Sequence, residues 1–178
     1  MRLVSLASGS DGNSTYIGSE KTHILVDAGI SNKKIETRLN ELGLCGSDIS
    51  GIFLTHEHSD HIAGLEVFVR KNKIPVFASR GTLRYLEERD KYYSIVDYFH
   101  TVESKKNISL GDLNIKAFDI DHDANEPFGY RVECGNKKIA VATDLGRYTM
   151  DIVNNLSDLD ALLIEANHDI RMLETGPY

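Results

Sequence analysis

The sequence predicts a single domain with a layered α/β fold. Its first half alternates short apolar strands with helical stretches, and its second half consists mostly of strand-like segments. Several polar residues stand where predicted strands end, which is where layered α/β folds place their functional groups. All 178 residues are assigned to this one domain, because no linker, low-complexity tract or clear repeat divides them.

The composition fits an ordinary globular domain, with 41% hydrophobic and 26% charged residues. A formal net charge of -7 argues against nonspecific wrapping of nucleic acid, which needs many basic contacts to phosphate, but does not exclude local binding at a cationic site. Cys45 and Cys134 form no CxxC pair, so buried, reduced thiols are expected. We expect a cytoplasmic protein, because no signal-peptide core and no bilayer-spanning apolar run is present.

The first elements in chain order are three strands that predict an antiparallel meander. They cover residues 3–7, 15–17 and 24–27. The glycine-rich turn between the first two strands has two interpretations. It is either a hairpin connection or part of a substrate pocket lined by Ser10, Asp11 and Asn13. It is too short and wrongly composed for a dinucleotide-binding fingerprint.

The next elements alternate between helix and strand. Ser31 is a good N-cap for a helix that runs to Gly43, and this helix is expected to cover the sheet. A short strand at 52–54, a helix reaching about Arg70, a strand at 75–78 and a helix at 83–89 follow.

Strands dominate the second half of the chain. They are predicted at 108–110, 113–120, 129–134 and 138–143. Cys134 shares a strand face with Tyr130 and Val132, which favours core packing over chemistry. A helix at 148–156 precedes the unbroken apolar run 161–164, which is typical of a strand buried on both faces.

The hexapeptide His-Glu-His-Ser-Asp-His at 56–61 concentrates four possible metal ligands directly after a predicted strand. In an extended segment His56 and His58 point the same way while Glu57 points opposite, so the two imidazoles can hold one cation. Asp60 and His61 fall in the first turn of the following helix and aim at a neighbouring point. This spacing predicts a two-metal site. A zincin motif is excluded, because Asp60 stands where that motif needs its second His.

Further polar candidates stand at the ends of other predicted strands, namely Asp27, His122, Asp144 and Glu165. His122 lies between two aspartates that can orient its ring, and it offers the third imidazole for the first metal. Asp144 follows small residues and can bridge two ions, or it caps the next helix.

The remaining candidates are supporting residues. Asp27 is either a support behind the ligands or a turn residue. Glu165 and Asn167 belong to a polar cluster after a buried strand, and His168 of this cluster binds substrate, donates a proton or is an ordinary loop histidine. His23 and His100 lie outside any such cluster and are interpreted as structural.

These motifs resemble the metallo-β-lactamase-fold hydrolases. The resemblance rests on Thr-His-Glu-His-Ser-Asp-His at 55–61, the separate His122, Thr-Asp-Leu-Gly at 143–146 and Leu-Val-Asp-Ala-Gly at 25–29. The opening Ser-Leu-Ala-Ser-Gly-Ser at 5–10 and the late Glu-Ala-Asn-His-Asp at 165–169 are similar to the WalJ (YycJ) group of bacterial proteins. The similarity runs through essentially the whole chain.

The resemblance implies an αβ/βα four-layer sandwich with two divalent metal ions at the rim between its sheets. His56, His58 and His122 would hold one ion, Asp60 and His61 the second, and Asp144 would bridge them. Zinc is the expected metal, and manganese and iron are compatible with these ligands. The two ions are expected to share and deprotonate a water, with Asp60 and His168 taking part in catalysis.

The resemblance also implies that the second half of the sandwich is incomplete. Family members continue past the equivalent of Tyr178 through further strands and helices, including a final His of the second metal site. We therefore expect a weak second site, fewer than two bound metal equivalents, and self-association through the exposed face.

The function implied by the resemblance is metal-dependent hydrolysis of DNA phosphodiesters, in the manner of a 5′-to-3′ exonuclease. The dipole of the helix that starts near Asp60 agrees with an anionic substrate. A glyoxalase-type thioesterase, or another small-molecule metallohydrolase such as a β-lactamase, would use the same kind of site. A different class is a metal-stabilised interaction domain or an inactive fragment. No membrane partner is expected.

Overall fold

The computed structural model describes residues 1–165 and contains two β-sheets. The first sheet has six strands in the order β1-β2-β3-β4-β5-β6. Its strands are β1 Arg2–Ala7, β2 Ser14–Gly18, β3 His23–Val26, β4 Ile49–Phe53, β5 Val76–Ala78 and β6 Phe99–Thr101. The first three strands pair antiparallel, which confirms the predicted meander, and the remaining pairs are parallel.

The second sheet has five strands in the order β11-β10-β9-β8-β7. These are β7 Asn107–Leu110, β8 Leu113–Asp119, β9 Phe128–Cys134, β10 Lys137–Ala142 and β11 Ala161–Ile164. Strands β7 to β10 are antiparallel, and β11 runs parallel to β10. Parallel pairing requires a crossover, and the segment between β10 and β11 provides it.

The helices are α1 Asn32–Glu41, α2 Ser59–Ile62, α3 Leu65–Asn72, α4 Arg80–Glu87 and α5 Met150–Asn155, with 3₁₀ segments at Gly46–Asp48 and Asp90–Tyr98. The Ser31 side chain caps α1 as predicted, accepting from the Lys34 amide at 3.4 Å. The helix predicted to run to Arg70 is instead split at Gly64. The Gly64 amide donates to the Ala28 carbonyl at 2.9 Å, and a Cβ on Gly64 would lie 2.0 Å from the Ile30 carbonyl oxygen.

Three apolar clusters show how the layers stack. Between the sheets, Val26 and Phe53 of the first sheet pack with Tyr130 and Val141 of the second. On the outer side of the first sheet, α1, α3 and α4 bury residues that include Ile35, Phe68 and Leu83. On the outer side of the second sheet, Ile152 of α5 packs with Phe118 and Ala142. The result is an αβ/βα sandwich of four layers, as expected.

Two predictions about burial are wrong. Strand β11 is not buried on both faces of the described structure, because Leu162 and Ile164 are 40% and 48% exposed while Ala161 and Leu163 pack toward the sheet interface. The thiols are not both buried either: Cys45 is exposed, and Cys134 is partly buried against the core between the sheets.

Over residues 1–165, no helix has the length and apolar character needed to cross a membrane.

Candidate metal centre

The candidate ligands meet at one rim of the sandwich, where strands from both sheets end. The hexapeptide follows β4 of the first sheet. His122 follows β8, and Asp144 follows β10, both in the second sheet. Packing of the two sheets against each other carries these strand ends to one edge, so residues separated by more than 60 positions become neighbours.

One cluster consists of three imidazoles, from His56, His58 and His122. Their ring centroids lie 4.6 to 4.9 Å apart, and His58 Nδ1 is 3.2 Å from His122 Nε2. One nitrogen of each ring lies within 4.8 Å of the others. Three imidazoles converging in this way form a donor set that suits zinc and related ions.

A second cluster consists of His56, His61 and Asp144, and it shares His56 with the first. His61 Nε2 lies 3.1 Å from Asp144 Oδ2 and 3.4 Å from Asp60 Oδ2. Asp60 therefore stands beside the second cluster, although the three-residue groups found within residues 1–165 do not include it. The two clusters are adjacent, which is the arrangement that a two-metal site requires.

Asp27 and Thr55 orient two of these imidazoles from behind. The buried Asp27 carboxylate accepts from the Thr55 amide, the Thr55 hydroxyl and His61 Nδ1, each at 2.8 Å. The carboxylate can only accept, so Nδ1 of His61 carries the hydrogen and Nε2 faces Asp60 and Asp144. Thr55 gives its one hydroxyl hydrogen to Asp27, so its contact of 3.0 Å to His56 Nδ1 has the imidazole as donor. This leaves His56 Nε2 free to bind a cation.

The pKa values of the buried groups reflect this packing. Burial, together with the neighbouring imidazoles of His61 and His122, lowers the pKa of His56 to about 2, so the ring is neutral. Burial also acts to lower the pKa of His61, but the charge of Asp27 and the contacts of Asp144 outweigh it and raise the pKa to about 10. For Asp144, burial favours the protonated acid, yet the close contact and charge of His61 lower its pKa overall. His56 and Asp144 are therefore in the forms that bind metal, a neutral imidazole and an ionised carboxylate, whereas His61 is protonated and must release the proton on Nε2 before it binds a cation.

Two buried polar atoms of the site, His56 Nε2 and Asp144 Oδ2, make no well-aligned hydrogen bond to any described residue, although His61 Nε2 lies 3.1 Å from Asp144 Oδ2 as an ion-pair partner. Buried polar atoms are nearly always paired, and each exception needs an explanation. A cation between these two atoms would satisfy both. The residues present therefore fit divalent metal ions.

The glycine-rich turn contributes one residue to the site. Asn13 is buried, and its side-chain amide lies 3.2 Å from Asp60 Oδ2 and 3.0 Å from His61 Nε2. Its main-chain amide donates to the Asp60 carbonyl at 2.7 Å. Ser10 and Asp11 are exposed on the outside of the turn. Of the two interpretations of this turn, the structure supports a site-lining role for Asn13.

Hydrogen bonding distinguishes site residues from structural ones among the remaining polar candidates. Thr149, not Asp144, caps α5, because its side chain accepts from the Ile152 amide at 3.3 Å. Asp27 and Asp144 both adopt left-handed backbone conformations, with φ of 63° and 55°, but residues away from the site such as Lys73 share this conformation. His23 bonds to the Tyr16 hydroxyl and His100 stacks on Phe77, so both are structural.

The late polar cluster is only partly described. The backbone of Glu165 joins the site, since its carbonyl accepts from the Leu145 amide at 3.2 Å, next to Asp144. Asn167 and His168 lie outside the described residues, and their predicted roles stay predictions.

The main residue that sequence reasoning missed is Thr55. Its position before His56 was the available signal, but a hydroxyl residue at a strand end is too common to single out.

Comparisons with known proteins agree with this geometry. A protein-family model described as "Beta-lactamase superfamily domain" matches residues 22–175. The chain is 40% identical to "Exodeoxyribonuclease WalJ" of Streptococcus pneumoniae and 38% identical to "Exodeoxyribonuclease YycJ" of Bacillus anthracis. Each alignment covers 97% of this chain and 65% of the relative, so the chain spans about two thirds of the length of these proteins.

Solved structures show the same fold at low sequence identity. The chain aligns with Zn(2+)-bound PqqB from Methylobacterium extorquens at a TM-score of 0.74 and 19% identity, covering 91% of this chain and 63% of that one. A metallo-beta-lactamase from Cronobacter sakazakii aligns at a TM-score of 0.70 and 16% identity, covering 88% and 74%.

Proposed function

Since this chain belongs to the metallo-β-lactamase superfamily, we propose that it is a metal-dependent phosphodiesterase that degrades DNA in the manner of a 5′-to-3′ exonuclease. The observation that carries the hydrolytic part is the pair of adjacent ligand clusters that share His56. The choice of DNA is supported by the two relatives named as exodeoxyribonucleases.

His56, His58 and His122 would hold one divalent ion, and His61 and Asp144, with Asp60 beside them, would hold the second. Zinc suits this mixture of imidazole and carboxylate best, and manganese and iron are also compatible. When bound, such ions supply a water that is acidic enough to attack at neutral pH and neutralise charge on the phosphate oxygens.

The chain's own residues prepare the site for this chemistry. Asp27 and Thr55 fix the rings of His61 and His56 through their Nδ1 atoms, which leaves both Nε2 atoms on the side of the other candidate ligands. The side chains of Asp60 and Asp144 are 30% and 24% exposed, so the site opens to solvent on the side where a substrate would arrive. A rigid, partly open rim of this kind can admit the end of a nucleic acid strand.

A basic cleft of about 740 Å³ lies next to this rim, between the glycine-rich turn and α1. Lys33, Lys34 and Arg38 line its α1 side, but Arg38 is paired with Glu41 at 3.0 Å, so Lys33 and Lys34 carry the excess positive charge. Asp11 and Gly12 line the other side, and Gly12 packs against Gly29 behind Asp60. The whole chain carries a net charge of -7, so this local basic surface is the natural path for the phosphate backbone.

The test is degradation of double-stranded DNA labelled at the 5′ or the 3′ end, with added zinc or manganese. We expect mononucleotides or short products from the 5′ end first, and loss of activity in His58→Ala and Asp60→Ala. His100→Ala, which removes a histidine outside the site, is the matched control and should keep full activity.

Full activity of Asp60→Ala or activity that survives chelation would overturn the two-metal mechanism. Preferred cleavage of RNA, a thioester or a β-lactam would instead assign a different substrate to the same site.

A further inference from the structure

Glu57, the residue between the first two histidines of the hexapeptide, points away from the metal centre into the protein. It is only 3% exposed, which is rare for a carboxylate unless hydrogen bonds satisfy it. None of the ion pairs found in residues 1–165 involves Glu57. The ligand clusters also leave it free. Its negative charge must therefore be held by neutral donors.

Three hydrogen bonds provide that compensation, and two of them come from Asn125. Glu57 Oε1 accepts from the Asn125 main-chain amide at 2.8 Å and from its side-chain amide at 2.7 Å. Glu57 Oε2 accepts from the Thr82 hydroxyl of α4 at 3.0 Å. Hydrogen bonds to a buried charge are stronger than neutral ones. The carboxylate thus joins the hexapeptide to the loop that follows β8 and to the start of α4.

The start of α4 holds the same loop by further contacts. The Ser79 hydroxyl lies 3.3 Å from the Asn125 carbonyl oxygen, and the Gly81 amide donates to Glu126 Oε2 at 2.6 Å. Gly81 packs so closely that a Cβ there would lie 2.7 Å from the Asn125 carbonyl oxygen. The loop is therefore clamped at Asn125 between two separate elements.

His122 lies in this loop, three residues before Asn125. The Ala124 amide donates to the His122 carbonyl at 2.9 Å, so the short segment between them is itself folded. The local partner of the ring is weak by comparison: Asp123 lies 3.0 Å from His122 Nδ1, but its side chain is 87% exposed. The buried clamp is the stronger constraint on where His122 sits.

We propose that Glu57 is a positioning residue, which holds the loop at Asn125 so that His122 completes the three-imidazole cluster. This inference rests on the metal centre of the proposed function but not on its substrate. The dipeptide Glu57-His58 then supplies two functions: His58 is a candidate ligand, and Glu57 holds the loop that carries His122, which is 64 positions from His58.

The test measures zinc affinity by competition with a chromophoric chelator, and stability by thermal unfolding of the metal-free protein. We expect Glu57→Ala to weaken zinc binding at the three-imidazole cluster by about 10- to 100-fold, the usual effect of removing an outer support of a metal ligand. His122→Ala sets the reference loss. Because Glu57 acts through His122, the double variant should lose little beyond His122→Ala alone.

Three further variants keep the test decisive if Glu57→Ala unfolds. Glu57→Gln should bind zinc within a few-fold of wild type, because its carbonyl can still accept from Asn125 and its amide can donate to the Thr82 hydroxyl, which can turn to the Asn125 carbonyl at 3.4 Å. Gly81→Ala, which pushes the loop from the other side, should reproduce the affinity loss. Glu66→Ala, which removes a glutamate paired with Arg70 on α3, is the matched control.

The outcomes separate the two proposals. Wild-type zinc affinity in both Glu57→Ala and Gly81→Ala, or additive losses in the double variant, would overturn the positioning role alone. Loss of zinc binding in Glu57→Gln would also overturn it, because the charge would then matter more than the hydrogen bonds. A wild-type protein that binds zinc but leaves DNA intact would overturn the proposed substrate without touching this inference. A wild type that binds no zinc would overturn both.

Discussion

At the scale of single residues, the candidate metal centre depends on side chains that are not themselves candidate ligands. Thr55 is fully buried and connects Asp27 to His56 through one hydroxyl group. Its single hydrogen decides which nitrogen of His56 is protonated, and hence which nitrogen is free to bind a metal.

Replacing Thr55 tests this chain of hydrogen bonds. Thr55→Val keeps the shape but leaves His56 Nδ1 and one Asp27 oxygen without this partner, so we expect a stability loss of about 1–3 kcal/mol. We also expect zinc affinity to fall by about 10- to 100-fold, because the ring of His56 is no longer held in one tautomer. Thr55→Ser retains the hydroxyl and is the matched control. Urea unfolding and zinc competition measure the two effects, and equal zinc affinity of the Val and Ser variants would contradict the expectation.

The sequence predicted the polar groups at the rim but not their supports. The spacing of imidazole and carboxylate side chains at 56–61 indicates metal chemistry, and the structure brings the six candidate ligands His56, His58, Asp60, His61, His122 and Asp144 together. Thr82 and Asn125 were not predicted, because each is a common polar residue whose role appears only when Glu57 meets it across 25 or 68 positions. Local pattern carries no information about such contacts.

At the scale of elements, apolar periodicity predicted most strands and the capped helix α1. It failed where tertiary contact overrides local preference. The α2–α3 break at Gly64 arises from a close approach to the Ile30 carbonyl, and β6 is short, with exposed His100 and Thr101 that carry no apolar signal. Because α2 has only four residues, its dipole adds little to anion binding, contrary to the sequence-based expectation.

Gly29, in the turn after β3, packs against the backbone of Asp60 in α2, and a single substitution can test this contact. A Cβ at this position would lie 1.5 Å from the Asp60 carbonyl oxygen, which itself accepts from the Asn13 amide. We expect Gly29→Ala to destabilise the metal-free protein by about 3 kcal/mol, the upper end of overpacking costs, and to displace Asp60 and His61. Ala63→Ser, an exposed change in the same turn, should stay within about 0.5 kcal/mol of wild type. Urea unfolding measures both, and an unchanged midpoint for Gly29→Ala would contradict the packing seen here.

At the scale of the whole molecule, the sandwich explains why distant motifs form one site. The strands β4 of the first sheet and β8 and β10 of the second end at the same rim, so three separate segments deliver candidate ligands there. A single sequence could indicate that strand ends carry polar groups, but the facing of the two sheets came from family resemblance and not from periodicity. Periodicity defines which face of a strand is apolar, not which other sheet covers it.

The distribution of charge over the whole molecule leads to the last prediction. For the proposed DNA substrate, a net charge of -7 is repulsive at long range, so we expect binding to rely on local basic groups such as Lys33 and Lys34 beside the rim. Each lysine that contacts phosphate releases counterions, so replacing both by alanine should reduce the slope of log K against log salt by about 1.4 for single-stranded ends. We expect KM for DNA to rise by about tenfold, equivalent to about 1.4 kcal/mol, with kcat nearly unchanged.

The matched control is Lys137→Ala with Lys138→Ala, at the start of β10 and about 20 Å of strand away from Asp144. If both double variants change KM and the salt slope equally, the cleft beside α1 is not the path of the nucleic acid, and the phosphate backbone must approach the metal centre from another side.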